Sequence, residues 1–133
     1  MIWFDTESVG MTGPLVTIQY QYAPNAAQIW NVWNHTVKGT LKLIEEFCEE
    51  DVCGFNLVHD WFMLTKWYNV FRQVENKNEL LDAAEVKRIE SAGPHPEDVC
   101  LKPRSAVDLM LLARTEKFQY LAKHKPITIR RVP

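Results

Sequence analysis

The chain has 133 residues and a mass of 15.5 kDa, with 47% apolar and 24% charged residues, which fits one ordinary domain with a sizeable core and excludes disorder over its whole length. No apolar run approaches the roughly 18 residues that a membrane helix needs, and Met1-Ile2-Trp3-Phe4-Asp5 is too short and too acidic for a signal peptide, so the expectation is a cytoplasmic, non-secreted protein without a membrane partner. The net charge of −2 conceals a split: residues 1–100 carry 7 Lys and Arg against 15 Asp and Glu, whereas residues 101–133 carry 8 against 2.

Such a split marks either a surface for a polyanion or a basic edge docked on the acidic remainder. The three cysteines, Cys48, Cys53 and Cys100, are odd in number and form no CxxC pair, which fits reduced thiols better than a disulfide framework or a zinc knuckle.

In chain order, Ile2-Trp3-Phe4 reads as a short apolar strand that ends at Asp5-Thr6-Glu7, before the breakers Gly10, Gly13 and Pro14. From Leu15 to Tyr22 the pattern alternates, with Val16, Ile18, Tyr20 and Tyr22 on one face, as in a half-buried strand. Pro24-Asn25 predicts a turn, and Gln28 to Trp33 a third strand, completing an antiparallel meander. The period then changes. Leu41, Ile44, Phe47 and Cys48 recur at helical spacing with Glu45, Glu46, Glu49 and Glu50 outside, and Val52-Cys53-Gly54-Phe55 reads as a buried strand reached by a parallel crossover. Asn56 suits the N-cap of a helix whose stripe is Leu57, Trp61, Leu64, Tyr68 and Phe71. Residues 78–92 predict a more polar helix stopped by Gly93-Pro94, and 93–104 a loop. Ser105 can open a segment running to Ala113, strand or helix, and Pro126 to Val132 alternates like a last edge strand.

Two acidic clusters carry the chemistry. Residues two apart on a strand share a face, so Asp5 and Glu7 converge, and unpaired carboxylates that converge repel unless a cation lies between them. Alone, this pair is a weak signal and reads more readily as a solvated turn. In Gly54-Phe55-Asn56-Leu57-Val58-His59-Asp60, Asn56 and Asp60 share a helix face near its start, at the rim of the core, and alone they read as a cap and a surface acid.

Taken together, Phe4-Asp5-Thr6-Glu7-Ser8 and Gly54-Phe55-Asn56-Leu57-Val58-His59-Asp60-Trp61-Phe62-Met63-Leu64 resemble the first and second motifs of the DEDD 3′–5′ exonucleases, the DnaQ-like and polymerase-proofreading nucleases. The resemblance covers residues 1–71, with an echo at Val107-Asp108-Leu109. It implies an α/β ribonuclease-H-like fold, in which a mixed sheet (a three-stranded antiparallel meander plus a parallel strand) is flanked by helices. It also implies a two-metal mechanism with Mg²⁺ or Mn²⁺, for which hard carboxylate ligands are suited. On this reading Asp5, Glu7 and Asp60 are the catalytic metal ligands. Thr6, Ser8 and Asn56 lie near the terminal nucleotide, and Met11 or Phe55 wedges against its base. The partner is single-stranded or frayed DNA with a 3′ end, RNA being undistinguished.

The family's third motif, Tyr-x3-Asp or His-x4-Asp, is missing: no Tyr or His of the chain leads to an acid at that spacing. The expectation is therefore a single exonuclease-like domain over residues 1–133, cut short before its third motif, from a larger replication or repair protein that can include a polymerase domain. Asp108 is a candidate substitute ligand, with a capping acid as the alternative. The basic residues Lys117, Lys123, Lys125, Arg130 and Arg131 could track phosphates, and Trp30 and Trp33 could stack bases if exposed. The rival from another class is a catalytically incomplete nucleic-acid-binding or structural module.

Overall fold

A computed structural model describes residues 1–114; the expected strand at 126–132 and the five basic residues from Lys117 to Arg131 lie outside the described residues. The protein is an α/β fold built on one mixed five-stranded sheet. Strand β1 (Ile2–Ser8) pairs antiparallel with β2 (Leu15–Tyr22), which pairs antiparallel with β3 (Gln28–Asn31). Helix α1 (Val37–Cys48) crosses over to β4 (Asp51–Gly54), which lies parallel to β1 on its other side. Helices α2 (Leu57–Arg72) and α3 (Ala83–Ser91) follow, and β5 (Ser105–Asp108) adds parallel to β4. The sheet order is β3-β2-β1-β4-β5.

The helices α1 and α2 bury one face of this sheet. Ile2 and Phe4 of β1 and Ile18 of β2 point into it, where Phe4 meets Phe47 of α1 at 5.4 Å and Trp61 of α2 at 5.8 Å between ring centroids. Asp5 and Glu7 alternate with these residues and so lie on the opposite face, opposite Gln19 and Thr17 of β2. Helix α2 is buried along two faces. The expected stripe packs inward, and Met63, Trp67 and Val70 fill the side toward α3, so a single-sided periodicity understates its burial.

Four element boundaries differ from the sequence expectation, each for a local reason. Strand β1 runs on through Asp5 and Glu7 to Ser8, because β2 continues to pair with it. Strand β3 stops at Asn31, whose side-chain oxygen accepts from the Trp33 amide and starts a 3₁₀ turn over Val32–Asn34. The helix expected from residue 78 starts at Ala83, capped by Asp82. The preceding segment instead gives the carbonyls of Lys77 and Glu79 to the amides of Lys38 and Val37 at the start of α1. Ser105 to Asp108 is a strand, with helix over 109–114. Among the described residues no helix is long and apolar enough to cross a membrane.

Candidate functional site

The site sits where the sheet changes direction of growth. The chain leaves β1 toward β2 on one side, and β4 is laid against the other side of β1 after the crossover; the carboxyl ends of β1 and β4 form the crevice in which α/β sheets bind ligands. The pairing of β4 with β1 covers only Ile2–Val52 and Trp3–Cys53. Gly54 ends β4 so close to β1 that a Cβ there would stand 3.1 Å from the Phe4 carbonyl oxygen, and 3.1 Å from Leu57 of α2. Any larger residue there would crowd both neighbours, so glycine eases the turn of β4 into α2 beside the acidic part of β1.

Beyond that point no strand among the described residues pairs with β1 on its β4 side, and Asp60 of α2 bonds to β1 there. Its Oδ1 accepts the Thr6 amide at 3.1 Å and the Thr6 hydroxyl at 2.6 Å. Asp60 is therefore buried, at 4% exposure, where the sequence suggested a rim position. Burial pushes its carboxyl above the ordinary range, and the nearby Asp5 charge adds to the rise, while the Thr6 bonds and His59 oppose it.

The other predicted residues are spread around this centre. Asp5 and Glu7 are exposed on the sheet face opposite α1 and α2, with the register irregularity of β1 falling just after Glu7. Thr6 faces α2, and its hydroxyl is bonded to Asp60 and braces that carboxylate. The Ser8 hydroxyl donates to the Gly10 carbonyl at 2.7 Å, inside its own turn. Met11 at the tip of that turn is 81% exposed, and Phe55 after β4 is 62% exposed, both at the carboxyl edge of the sheet. His59 is exposed.

Asn56 is the N-cap residue of α2, as expected, but its side chain makes no cap bond and its backbone is left-handed at φ 57°. The cap comes instead from β5: Asp108 accepts the amides of Asn56 at 3.0 Å and Leu57 at 2.9 Å, and also that of Met110 at 3.0 Å. Asp108 thus acts as a capping acid, with Oδ1 accepting two amides and Oδ2 one. Trp30 and Trp33 turn inward. Their indole N–H groups donate to Thr40 Oγ1 and to the Leu15 carbonyl, both at 2.9 Å, and Trp30 stacks on His35.

Phe62, 53% exposed on α2, was not singled out from the sequence. The signal was there: it falls one place off the apolar stripe, where a buried aromatic has no reason to be. Lys66, one turn later, donates to the Thr12 carbonyl at 2.9 Å and ties α2 to the β1–β2 turn that carries Met11.

Hard oxygen donors of this kind suit Mg²⁺ or Mn²⁺. Two acceptors, on different faces of the sheet, have no donor among the described residues. Gln19 Oε1, cross-strand from Asp5, is buried without a partner; Asp60 Oδ2 accepts no hydrogen bond from the described residues. The set is nevertheless partial, since among the described residues no three His, Cys, Asp or Glu side chains come together as one metal-holding group. Compared with family models, curated proteins and solved structures, the chain matches none.

Proposed function

We propose that this protein is a metal-dependent 3′–5′ exonuclease domain of the DEDD type on a ribonuclease-H-like fold, hydrolysing phosphodiester bonds at DNA 3′ ends. The observation that carries the reading is the bonding of Asp60 of α2 to Thr6 of β1 beside the β1–β4 pairing, which brings a carboxylate from a segment more than fifty residues away next to the strand that carries Asp5 and Glu7. Mg²⁺ or Mn²⁺, when bound, supplies an activated water and neutralises charge that develops on the phosphate. The chain's own residues do the rest. Asp5, Glu7 and Asp60 offer the ligand oxygens; Met11, Phe55 and Phe62 offer an apolar rim against which a terminal base can rest.

The second reading is a catalytically incomplete nucleic-acid-binding or structural module. The absence of a three-ligand group among the described residues favours it. Degradation of 5′-labelled single-stranded DNA in Mn²⁺ and in chelator separates the two. The nuclease reading expects a Mn²⁺-dependent ladder that Asp5→Asn and Asp60→Asn each reduce by at least about a hundredfold, the scale on which loss of a charge-stabilising group acts. Retained turnover in both variants excludes the site. Binding of the strand by wild type without any cleavage selects the second reading.

A further inference from the structure

We infer that the outer edge of β5, with the apolar groove beside it, is a docking surface for an extended, acidic and apolar segment of a partner protein, independently of the nuclease reading. Among the described residues the sheet ends at β5, so one side of Ser105–Asp108 has no strand partner. A sheet edge offers a row of backbone donors and acceptors, and proteins commonly guard it with lysine or proline. The strand Ser105-Ala106-Val107-Asp108 contains neither.

Beside this edge lies a groove of about 380 Å³, lined by Leu57, Val58 and Trp61 of α2, by Pro103 and Ala106, and by Leu111 of the helix after β5. Its one charged lining residue, Asp108, has both oxygens engaged by backbone amides. Val58 and Leu111 leave 70% and 52% of their surface exposed there. A strand added to β5 would point alternate side chains to each face of the sheet, and Ala106 marks the face that looks into the groove. One extended segment can therefore pair its backbone and bury its apolar side chains at once.

Charge selects the occupant. Residues 101–114 carry Lys102, Arg104 and Arg114 against the single acid Asp108, in a fold whose residues 1–114 carry ten cations against sixteen acids. Arg104 is paired with Asp51, while Lys102 and Arg114 are exposed and have no ion-pair partner among the described residues. Lys102 adjoins Pro103, and Arg114 stands three residues after Leu111 on the same helix side, so both belong to the rim. Segment 115–133, with five cations against one acid, repeats the charge of this rim, and an isologous contact between two copies would set the rim against itself. An acidic partner complements it.

The test is selection of random decapeptides displayed on phage against the full chain. Fluorescence anisotropy of the enriched peptide then compares wild type, Val58→Glu and the Lys102→Glu/Arg114→Glu pair. Enriched sequences should alternate apolar with acidic residues. Val58→Glu changes an exposed side chain and should weaken binding at least about tenfold, and the charge-reversed pair about as much. A peptide with Lys in place of each acid should bind the charge-reversed pair better than wild type. Wild type alone supplies a second measurement: the β5 amides should exchange more slowly with the peptide bound, and those of β3, at the other edge, should not. Absence of enrichment, enrichment of basic or helix-periodic sequences, binding that Val58→Glu leaves intact, or unchanged β5 exchange each overturns the inference. So does a dimer, seen by sedimentation, that Val58→Glu abolishes, because the groove would then belong to a second copy.

Discussion

Two aspartates at the same sheet illustrate how place decides sign. Asp51 at the start of β4 receives Arg104 Nε and Nη2 at 3.1 and 3.0 Å and the Ser105 hydroxyl at 2.6 Å, and these bonds hold its carboxyl down at about 2. Its folded pKa lies below the unfolded value of about 3.9, so its stabilisation is present above that value and is lost as pH falls toward 2. The pair is exposed, which keeps the effect small. Asp60 behaves oppositely. Its raised pKa means the folded state holds the proton more tightly, so stability is greatest at low pH and is lost as pH rises from about 4 through the folded value. Asp60→Asn cannot ionise and should escape that loss: in chelator, its stability relative to wild type should rise between pH 4 and 7. Urea unfolding at each unit of pH checks this, and parallel curves for the two proteins would show that burial does not penalise the Asp60 charge. Arg104→Gln should flatten the acid limb below pH 4 and leave the upper window alone.

At the scale of elements, the start of α2 is organised by a strand fifty residues later. Asp108 caps it with a carboxylate shared between two amides, while Asn56 holds the left-handed turn out of β4. Asp108→Ala should cost about 1–2 kcal/mol of unfolding free energy, the scale of a lost N-cap. Asn56→Gly should be neutral or slightly stabilising because glycine adopts φ 57° without a Cβ penalty, whereas Asn56→Val should destabilise. Equal stability of the valine and glycine variants would remove backbone strain from the account. This level also shows where sequence reading stops. The elements themselves were legible from period two in Leu15–Tyr22 and from the 57-61-64-68-71 stripe, both local signals. The cap was not. Asn56 has the right residue type at the right place, yet its backbone conformation excludes the expected bond, and the replacement comes from a distant strand that no local pattern announces. Likewise helix is expected over residues 78–82, but carbonyls at 77 and 79 accept the free amides at the start of α1, and helix begins only at Ala83.

At the scale of the molecule, the candidate site was legible as three acids at strand and helix ends, and its assembly depended on β4 being parallel and adjacent to β1. The sequence reading missed that Asp5 and Glu7 face away from α2 and that Thr6, not Asp5, meets Asp60 directly, because period two fixes which residues share a face but not which face is covered.

Charge makes the last prediction. Residues 1–114 carry ten Lys and Arg against sixteen Asp and Glu, and residues 115–133 carry five against one. The fold that holds Asp5, Glu7 and Asp60 is therefore acidic overall and repels a polyanion, while cations concentrate in the last nineteen residues. If single-stranded DNA is the ligand, the salt dependence of its binding should come largely from Lys117, Lys123, Lys125, Arg130 and Arg131. Each phosphate contact on a single strand contributes about 0.7 to the slope of log affinity against log salt, so replacing all five by Gln should lower the slope by up to about 3.5 if every one engages. The measurement is fluorescence anisotropy of a labelled oligonucleotide over a salt series with divalent ion held constant. A slope that survives the five substitutions would mean that the acidic fold itself makes the phosphate contacts, through cations at Asp5 and Asp60 or through Lys66 beside the β1–β2 turn, and would move the nucleic-acid track from the C-terminal segment onto the sheet edge.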